Sequence, residues 1–410
     1  MNLLVLRSSF QTDEFVRKEY AELLQRLENE CHAEITIVGD ETFDEHIGSL
    51  PQFDYVMIAT GGVENLFKRI MPSTGILIAD GRNNSLAASL EILTYLEGQG
   101  KEGQIIHGTN DEIIASIVET VCTPSLLCTP SLQGLRIGLF GQPSDWLIAS
   151  GVDRNYLLEH FGVETLDIDL QRLIDGIKAI PQTDAVKVAQ AIVKKAKALK
   201  EPSETDMVEA AKAYLAIKKI CEEERLDAMT IRCFDIVKSC GTTSCLALAL
   251  LNDEGIVAGC EGDMQTLISM LLAKRLCGEE AFMANPSNLT ATTSMLAHCT
   301  IPLAMCDDIS IRSHFESSIG VAIQGVLPMT DYTIFKWGGP RLDRYFVTEA
   351  KAVEAPYSDH FCRTQITLNV DLRPYLLKHS IGNHHVIIKG KHSQAIKGFM
   401  NEHFIASVTK

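Results

Sequence analysis

The feature that most constrains the fold is a regular alternation of strand and helix patterns over the first 120 residues. Short apolar runs such as residues 2–6 alternate with amphipathic segments such as residues 13–29, whose apolar positions recur every three or four residues. Such alternation predicts a parallel sheet with helices on both faces. A second β-α pattern begins at residues 135–141 and includes a lysine-rich helix at residues 185–199. Strand-rich sequence follows from about residue 305.

These patterns predict two α/β domains and a β-rich C-terminal part, because a single core stops growing well below 410 residues. The proline-bearing stretch at residues 123–132 is predicted to be a linker. We therefore expect an N-terminal α/β domain at residues 1–130 and a second α/β domain at residues 131–230, which segments later in the sequence could complete. Residues 231–410 are expected to form the C-terminal domain.

Composition narrows the class of partner. A formal charge of −16 opposes binding to DNA or RNA, which are recognised through clustered Lys and Arg. The apolar N-terminus is predicted to be a strand rather than a signal peptide, and no apolar stretch reaches the length of a membrane span. The twelve cysteines are scattered through apolar contexts. The sequence thus predicts a cytoplasmic protein with reduced thiols, and neither nucleic acid nor a membrane as its partner.

Two short stretches place charged or potentially metal-binding side chains close to glycine and directly against apolar segments. They are Gly259-Cys260-Glu261-Gly262-Asp263 and Gly382-Asn383-His384-His385. A carboxylate or imidazole at the edge of a core is costly unless it is paired, protonated or bound to a metal. Capping of the helix that starts near Met264 explains Asp263 but not Glu261, so Glu261 is predicted to be functional.

The adjacent histidines cannot both serve one site. Neighbours on a strand point to opposite faces, so either His384 or His385 is expected to face it. Histidine together with carboxylate suits a divalent transition metal such as manganese, iron or zinc.

Three further residues are candidates for substrate binding. Trp146, on a loop after a predicted strand, could stack on a sugar ring, although core packing explains it equally well. Arg363 begins a strand and could hold a carboxylate or hydroxyl. His298 ends a weakly alternating strand, where a lone histidine is more often a satisfied core residue than a ligand.

Together these segments resemble the L-fucose isomerase family and, more distantly, L-arabinose isomerase. The resemblance covers about residues 230–392 and rests on the order and spacing of several segments: Arg232-Cys233-Phe234, Cys260-Glu261-Gly262-Asp263, Ala297-His298-Cys299, Cys362-Arg363-Thr364-Gln365 and Gly382-Asn383-His384. It implies two Rossmann- or flavodoxin-like domains followed by a domain with a β-barrel. It also implies an enzyme that interconverts aldoses and ketoses through an enediolate, with a divalent metal, usually manganese.

Carried over by position, the resemblance implies that Glu261 binds the metal and moves the proton, and that His384 binds the metal, with His385 as its rival. The family's second acid falls at Asn285, 24 residues after Glu261, so the resemblance implies that Asn285 is a metal ligand and a catalytic residue. Its amide can orient a hydroxyl but cannot act as a general base. Either Asp263 or His298 could replace that acid.

The presence of Asn285 in place of the family's second acid leaves two alternative functions open. One is a noncatalytic carbohydrate-binding or regulatory protein on the isomerase scaffold, and the other is different metal-assisted chemistry such as epimerisation. In every case the predicted partner is a small-molecule sugar, and a homo-oligomer is compatible with the resemblance.

Overall fold

A computed structural model of the chain describes residues 1–43, 53–72, 75–99, 103–122, 132–403 and 405–408. The chain divides into two compact units, Met1–Cys128 and Thr129–Lys410. The predicted linker lies outside the described residues, except for Leu132. A further division of the second unit near residue 230 stays a prediction.

The first unit is a five-stranded parallel sheet with the strand order β2-β1-β3-β4-β5, the flavodoxin-like order. Its strands are β1 (Asn2–Leu6), β2 (Glu34–Val38), β3 (Tyr55–Ile58), β4 (Ile76–Ala79) and β5 (Gln104–His107). Its helices within the described residues are α1 (Asp13–Glu19), α2 (Ala21–Glu30), α3 (Glu64–Ile70), α4 (Ser85–Gly98) and α5 (Asn110–Cys122).

Strand β1 shows why this sheet forms. Leu3 and Val5 belong to one apolar cluster, and Leu4 and Leu6 belong to another, so alternate side chains enter the cores on opposite faces. The predicted single helix over residues 13–29 is wrong in one respect. It is interrupted at Tyr20, whose backbone leaves the helical region (φ −108°, ψ 18°) and whose hydroxyl donates to Ala59 O.

The second unit contains a four-stranded parallel sheet with the order β10-β9-β6-β7. Its strands are β6 (Arg136–Phe140), β7 (Glu164–Ile168), β9 (Ala228–Ile231) and β10 (Val257–Cys260). The helices in this part are α6 (Arg154–Phe161), α7 (Leu170–Ala179), α8 (Gln182–Lys195), α9 (Glu204–Glu224), α10 (Cys233–Cys240), α11 (Cys245–Asp253) and α12 (Met264–Cys277). The lysine-rich helix therefore ends earlier than predicted, because residues 198–199 form a short strand, β8 (Ala198–Leu199).

Six antiparallel strands of the second unit close into a barrel, in the order β15-β18-β11-β12-β17-β16, through the pairing of β15 with β16. They are β11 (Ala281–Leu289), β12 (Ser294–His298), β15 (Asp331–Gly338), β16 (Arg344–Glu354), β17 (Thr364–Leu368) and β18 (His385–Lys389). The remaining elements are β13 (Asp308–Arg312), β14 (Ala322–Val326), β19 (Ala406–Ser407), α13 (Arg373–Leu376), α14 (Ser393–Glu402), and two 3₁₀ turns at Arg82–Asn84 and Leu303–Met305. The predicted fold class is confirmed, although strand-rich sequence begins at Ala281 rather than near residue 305.

Helix α12 joins the parallel sheet to the barrel. Its first ten residues are all buried, and it packs against β10 on one side and against β11, β15 and β18 on the other. The end of β10 is thereby brought beside the start of β18. In the part of the chain that the structure describes, no helix is both long and apolar enough to cross a lipid bilayer.

Candidate metal centre

The turn between β10 and α12 has a strained backbone. Glu261 has φ +62° and Gly262 has φ +76°, two successive left-handed residues. For a residue other than glycine, this conformation costs about 1–3 kcal/mol and persists only where the surroundings enforce it. Here Ser144 N donates to Glu261 O (2.9 Å), and Asp263 then caps α12 by accepting from Thr266 N (2.8 Å). Glu261 thus lies in the turn itself, after Cys260, the last residue of β10, and before Asp263, the residue that caps α12.

Three side chains from different elements converge at this turn. Glu261 Oε1 lies 3.6 Å from His384 Nε2 and 3.8 Å from His298 Nε2, and the three donor atoms lie within 4.8 Å of one another. His298 ends β12, and His384 immediately precedes β18. These separations exceed a hydrogen bond, but they suit donors grouped around one ion, given metal–ligand bonds of about 2.0–2.2 Å. One carboxylate and two imidazoles form a donor set for a divalent transition metal.

The strongest sign that a metal fits is one nitrogen of His384. Its Nδ1 lies 2.9 Å from Asp263 Oδ2, whereas its buried Nε2 has no hydrogen-bond partner among the described residues. A buried polar atom left unpaired costs about 1–3 kcal/mol. A carboxylate that accepts from Nδ1–H fixes the tautomer whose Nε2 lone pair is free for a metal. His384 is therefore oriented as a ligand.

A buried charge network lies behind His384. Lys336, fully buried on β15, donates from Nζ to Thr266 Oγ1 (2.6 Å) and lies 3.7 Å from Asp263 Oδ2. Burial lowers the pKa of Lys336, although the Asp263 charge opposes this. Burial alone would raise the pKa of Asp263, but the Lys336 charge and the His384 hydrogen bond outweigh it and hold that pKa well below its usual range. Asp263 is thus an anion that both caps α12 and supports His384.

The pKa values of the converging groups move in opposite directions. Burial alone would raise the pKa of Glu261, but His298 and His384 outweigh it and hold the pKa well below its usual range. Burial alone would lower the pKa of His384, but Asp263 and Glu261 outweigh it and raise the pKa. A bound cation would take the place of the proton that these two carboxylates favour on His384.

The neighbouring His385 is directed elsewhere. Its Nε2 lies 2.8 Å from the Tyr375 hydroxyl and its Nδ1 lies 3.1 Å from Asn383 O, so both ring nitrogens have partners. Burial and the Lys336 charge lower its pKa to about 3. The structure therefore brings His384, and not His385, to the Glu261 carboxylate.

Asn285 lies on β11, the barrel strand that pairs with β12 on one side and with β18 on the other. His298 ends β12, and His384 immediately precedes β18. Asn285 is partly buried and pairs with Ala297 on β12, while the preceding Ala284 pairs with His385 on β18. Its amide offers an oxygen without a charge. Its role as ligand or catalytic group stays a prediction.

The remaining predicted residues divide between the site and its surroundings. Trp146 is 51% exposed and donates from Nε1 to Glu261 Oε2 (2.6 Å). Arg363 donates to Ser313 O (2.8 Å) and lies 3.5 Å from Asp359, four residues earlier in the chain. The substrate-binding roles of both stay predictions.

Two features of the site go beyond the sequence predictions. His298, expected as a substrate residue or as one of two possible replacements for the family's second acid, stands among the three metal-type donors, a place that its 37-residue distance from Glu261 in the sequence does not reveal. Lys336 was missed altogether. The available signal was a single lysine between two large aromatic residues of a strand, Phe335 and Trp337.

Comparison with known proteins gives distant relatives. No protein-family model matches the chain. A sulfoquinovose isomerase of Alkalicoccus urumqiensis is 24% identical over 234 residues, which is 55% of this chain and 53% of that protein. A sulfoquinovose isomerase of Priestia megaterium is 24% identical over 261 residues, which is 61% of this chain and 58% of that protein.

The chain thus spans about half the length of the curated relatives it matches. The resemblance to the L-fucose isomerase family stays a prediction at this level of similarity. What the comparisons support is the general class that the relatives' names share, a sugar isomerase.

Proposed function

We propose that this chain is a metal-dependent aldose–ketose isomerase that acts on a sugar or a modified sugar. The observation that carries the proposal is the convergence of Glu261, His298 and His384, with a buried His384 Nε2 that lacks a hydrogen-bond partner among the described residues. The relatives' names support the class of substrate, and sulfoquinovose is the first sugar to test.

Three atoms would hold the metal: Glu261 Oε1, His298 Nε2 and His384 Nε2. When bound, a divalent ion such as Mn²⁺ would polarise the sugar carbonyl and stabilise developing negative charge. Asp263 keeps His384 in the required tautomer through Nδ1, and Lys336 balances the Asp263 charge.

Glu261 would move the proton. Its low pKa keeps it ionised at neutral pH, so it can accept the proton from C2 of an open-chain aldose and return it to C1, or accept it from C1 of a ketose and return it to C2. Removal of that proton leaves an enediolate. Transfer of a hydroxyl proton between O1 and O2, and return of the first proton to the neighbouring carbon, complete the isomerisation. Asn285 would orient a hydroxyl, since its amide cannot abstract a proton.

A second candidate function is carbohydrate binding without turnover. Asn285 is the observation that favours it, because the predicted family has an acid at this position. A chain that binds metal and sugar saturably but converts no sugar would support this alternative.

The test of the proposal is the metal content of the purified protein after incubation with Mn²⁺. We expect about one bound ion per chain in the wild type, and little or none in Glu261→Gln, His298→Ala and His384→Ala. His385→Gln is the matched control and should retain the ion, since His385 lies against Tyr375 instead. A wild type without metal, or a metal-loaded His384→Ala variant, would contradict the proposal.

Turnover of sulfoquinovose and of simple aldoses is then measured in the presence of Mn²⁺. Glu261→Gln should reduce kcat by at least about 100-fold, because it removes both a metal donor and the proton-transfer group. Full turnover by this variant would rule out Glu261 as the base.

A further inference from the structure

The two oxygens of the Glu261 carboxylate have separate partners. Oε1 faces His384 Nε2 at 3.6 Å and His298 Nε2 at 3.8 Å. Oε2 accepts a hydrogen bond from Trp146 Nε1 at 2.6 Å. Because the two oxygens belong to one rigid group, holding Oε2 in place also fixes the direction of Oε1.

The loop that carries Trp146 is tied to the same turn. Ser144 N donates to Glu261 O (2.9 Å). Arg232 donates to Pro143 O (2.6 Å) and to Asp145 Oδ2 (2.7 Å), which fixes the loop on both sides of Ser144. The indole is therefore part of a braced segment, although half of its surface is exposed.

The indole ring also has a packing partner. It meets Phe234 edge-on, with ring centroids 5.1 Å apart and an interplanar angle of 87°. This contact restricts the ring, while the N–H is directed at the carboxylate. The ring contact and the hydrogen bond can be removed separately by substitution.

We propose that Trp146 is the positioning residue that aims the Glu261 carboxylate at the metal. The inference rests on the proposed function, in which Glu261, His298 and His384 hold a divalent ion. A glutamate side chain has three rotatable bonds, so without the indole N–H its carboxylate can turn away from the histidines. Hydrogen-bond partners of metal ligands typically contribute about 10- to 100-fold to metal affinity.

The first test compares Mn²⁺ affinity by titration calorimetry in the wild type, Trp146→Phe and Phe234→Leu. Trp146→Phe removes the N–H and keeps an aromatic ring, and its Kd should rise about 10-fold or more. Phe234→Leu removes the edge contact and keeps the N–H, so its Kd should remain close to that of the wild type. Thermal unfolding of both variants should resemble the wild type, which separates aiming of the carboxylate from a general loss of structure.

The second test needs no metal. The chain has two tryptophans, so ¹⁵N labelling of the indoles gives two signals, and the one missing in Trp146→Phe belongs to Trp146. Glu261→Ala should move the Trp146 signal and leave that of Trp337 in place, since Trp337 Nε1 donates to Leu342 O (2.7 Å).

The outcomes separate the inference from the proposed function. Wild-type protein that binds no Mn²⁺ would overturn both. A wild type that binds Mn²⁺, together with an unchanged Kd in Trp146→Phe, would overturn the positioning role alone. An unmoved Trp146 signal in Glu261→Ala would overturn it as well.

Discussion

At the residue scale, the left-handed turn at Glu261 and Gly262 is the most demanding feature of the site. A Cβ at position 262 would lie 2.6 Å from Pro143 Cα, and the positive φ disfavours any side chain there. We expect Gly262→Ala to destabilise the protein by at least about 1–2 kcal/mol. It should also weaken Mn²⁺ binding, because the loop carrying Ser144 and Trp146 has to move. Thermal unfolding and calorimetric titration measure the two effects.

Gly278→Ala is the matched control. Gly278 follows α12 with φ +70°, but a Cβ there would meet nothing within 4 Å. This variant should show the cost of the positive φ and retain the wild-type Kd for Mn²⁺. Equal Mn²⁺ affinity in the two variants would show that contact with Pro143 does not matter to the site.

What the sequence predicted at this scale follows from the cost of buried polar groups. The sequence indicates Glu261 and His384 because each lies within two residues of a glycine at the edge of an apolar run. The sequence offered His298 only as a possible substrate residue or replacement for the family's second acid, since its position beside His384 depends on the pairing of β11 with both β12 and β18. The sequence does not identify Lys336, because a lysine in a strand ordinarily faces solvent. Here the buried ammonium group donates to Thr266 and lies beside the Asp263 carboxylate.

At the element scale, the entry into β18 separates two adjacent histidines into different environments. His384 faces the turn after β10, while His385 enters the barrel against Tyr375. The pKa of His385 is lowered from 6.5 to about 3, first by burial and then by the Lys336 charge. Between pH 6.5 and about pH 3, His385 is protonated in the unfolded chain but neutral in the native protein. The contribution of His385 to stability is therefore fully present above pH 6.5 and lost as the pH falls towards 3.

We expect this loss to approach about 1.4 kcal/mol per pH unit within that window. The measurement is the urea midpoint of the wild type and of His385→Gln at neutral and mildly acidic pH. Glutamine does not titrate, so its midpoint should fall less steeply on acidification than that of the wild type. Parallel pH profiles would show that His385 does not remain neutral in the native protein.

The elements differ in how far the sequence predicted them. Strand β1 was predicted at its observed bounds, residues 2–6, because its apolar pattern is local. Only the family resemblance predicted the barrel. The sequence pattern does not show it, because β11 pairs with β18, a strand about a hundred residues later. Periodicity identifies a strand but not its partner, and pairing of distant strands depends on tertiary packing.

At the scale of the whole molecule, every group assigned to the candidate metal centre belongs to one compact unit. Glu261, His298, His384 and the supporting Asp263 and Lys336 all lie within Thr129–Lys410. The parallel sheet, α12 and the barrel that position them are in the same unit. We therefore expect residues 129–410, expressed alone, to fold and to bind one Mn²⁺ with the affinity of the full chain.

Circular dichroism and calorimetric titration test this prediction, with His384→Ala in the shortened chain as the negative control. The second unit has its own extensive apolar core, built on β6, β9, β10 and α12 and continued into the barrel, so we expect it to fold without the first unit. A shortened chain that folds but binds Mn²⁺ much more weakly than the full chain would show that the metal centre depends on residues before 129. An equal Kd would show that metal binding needs only the second unit.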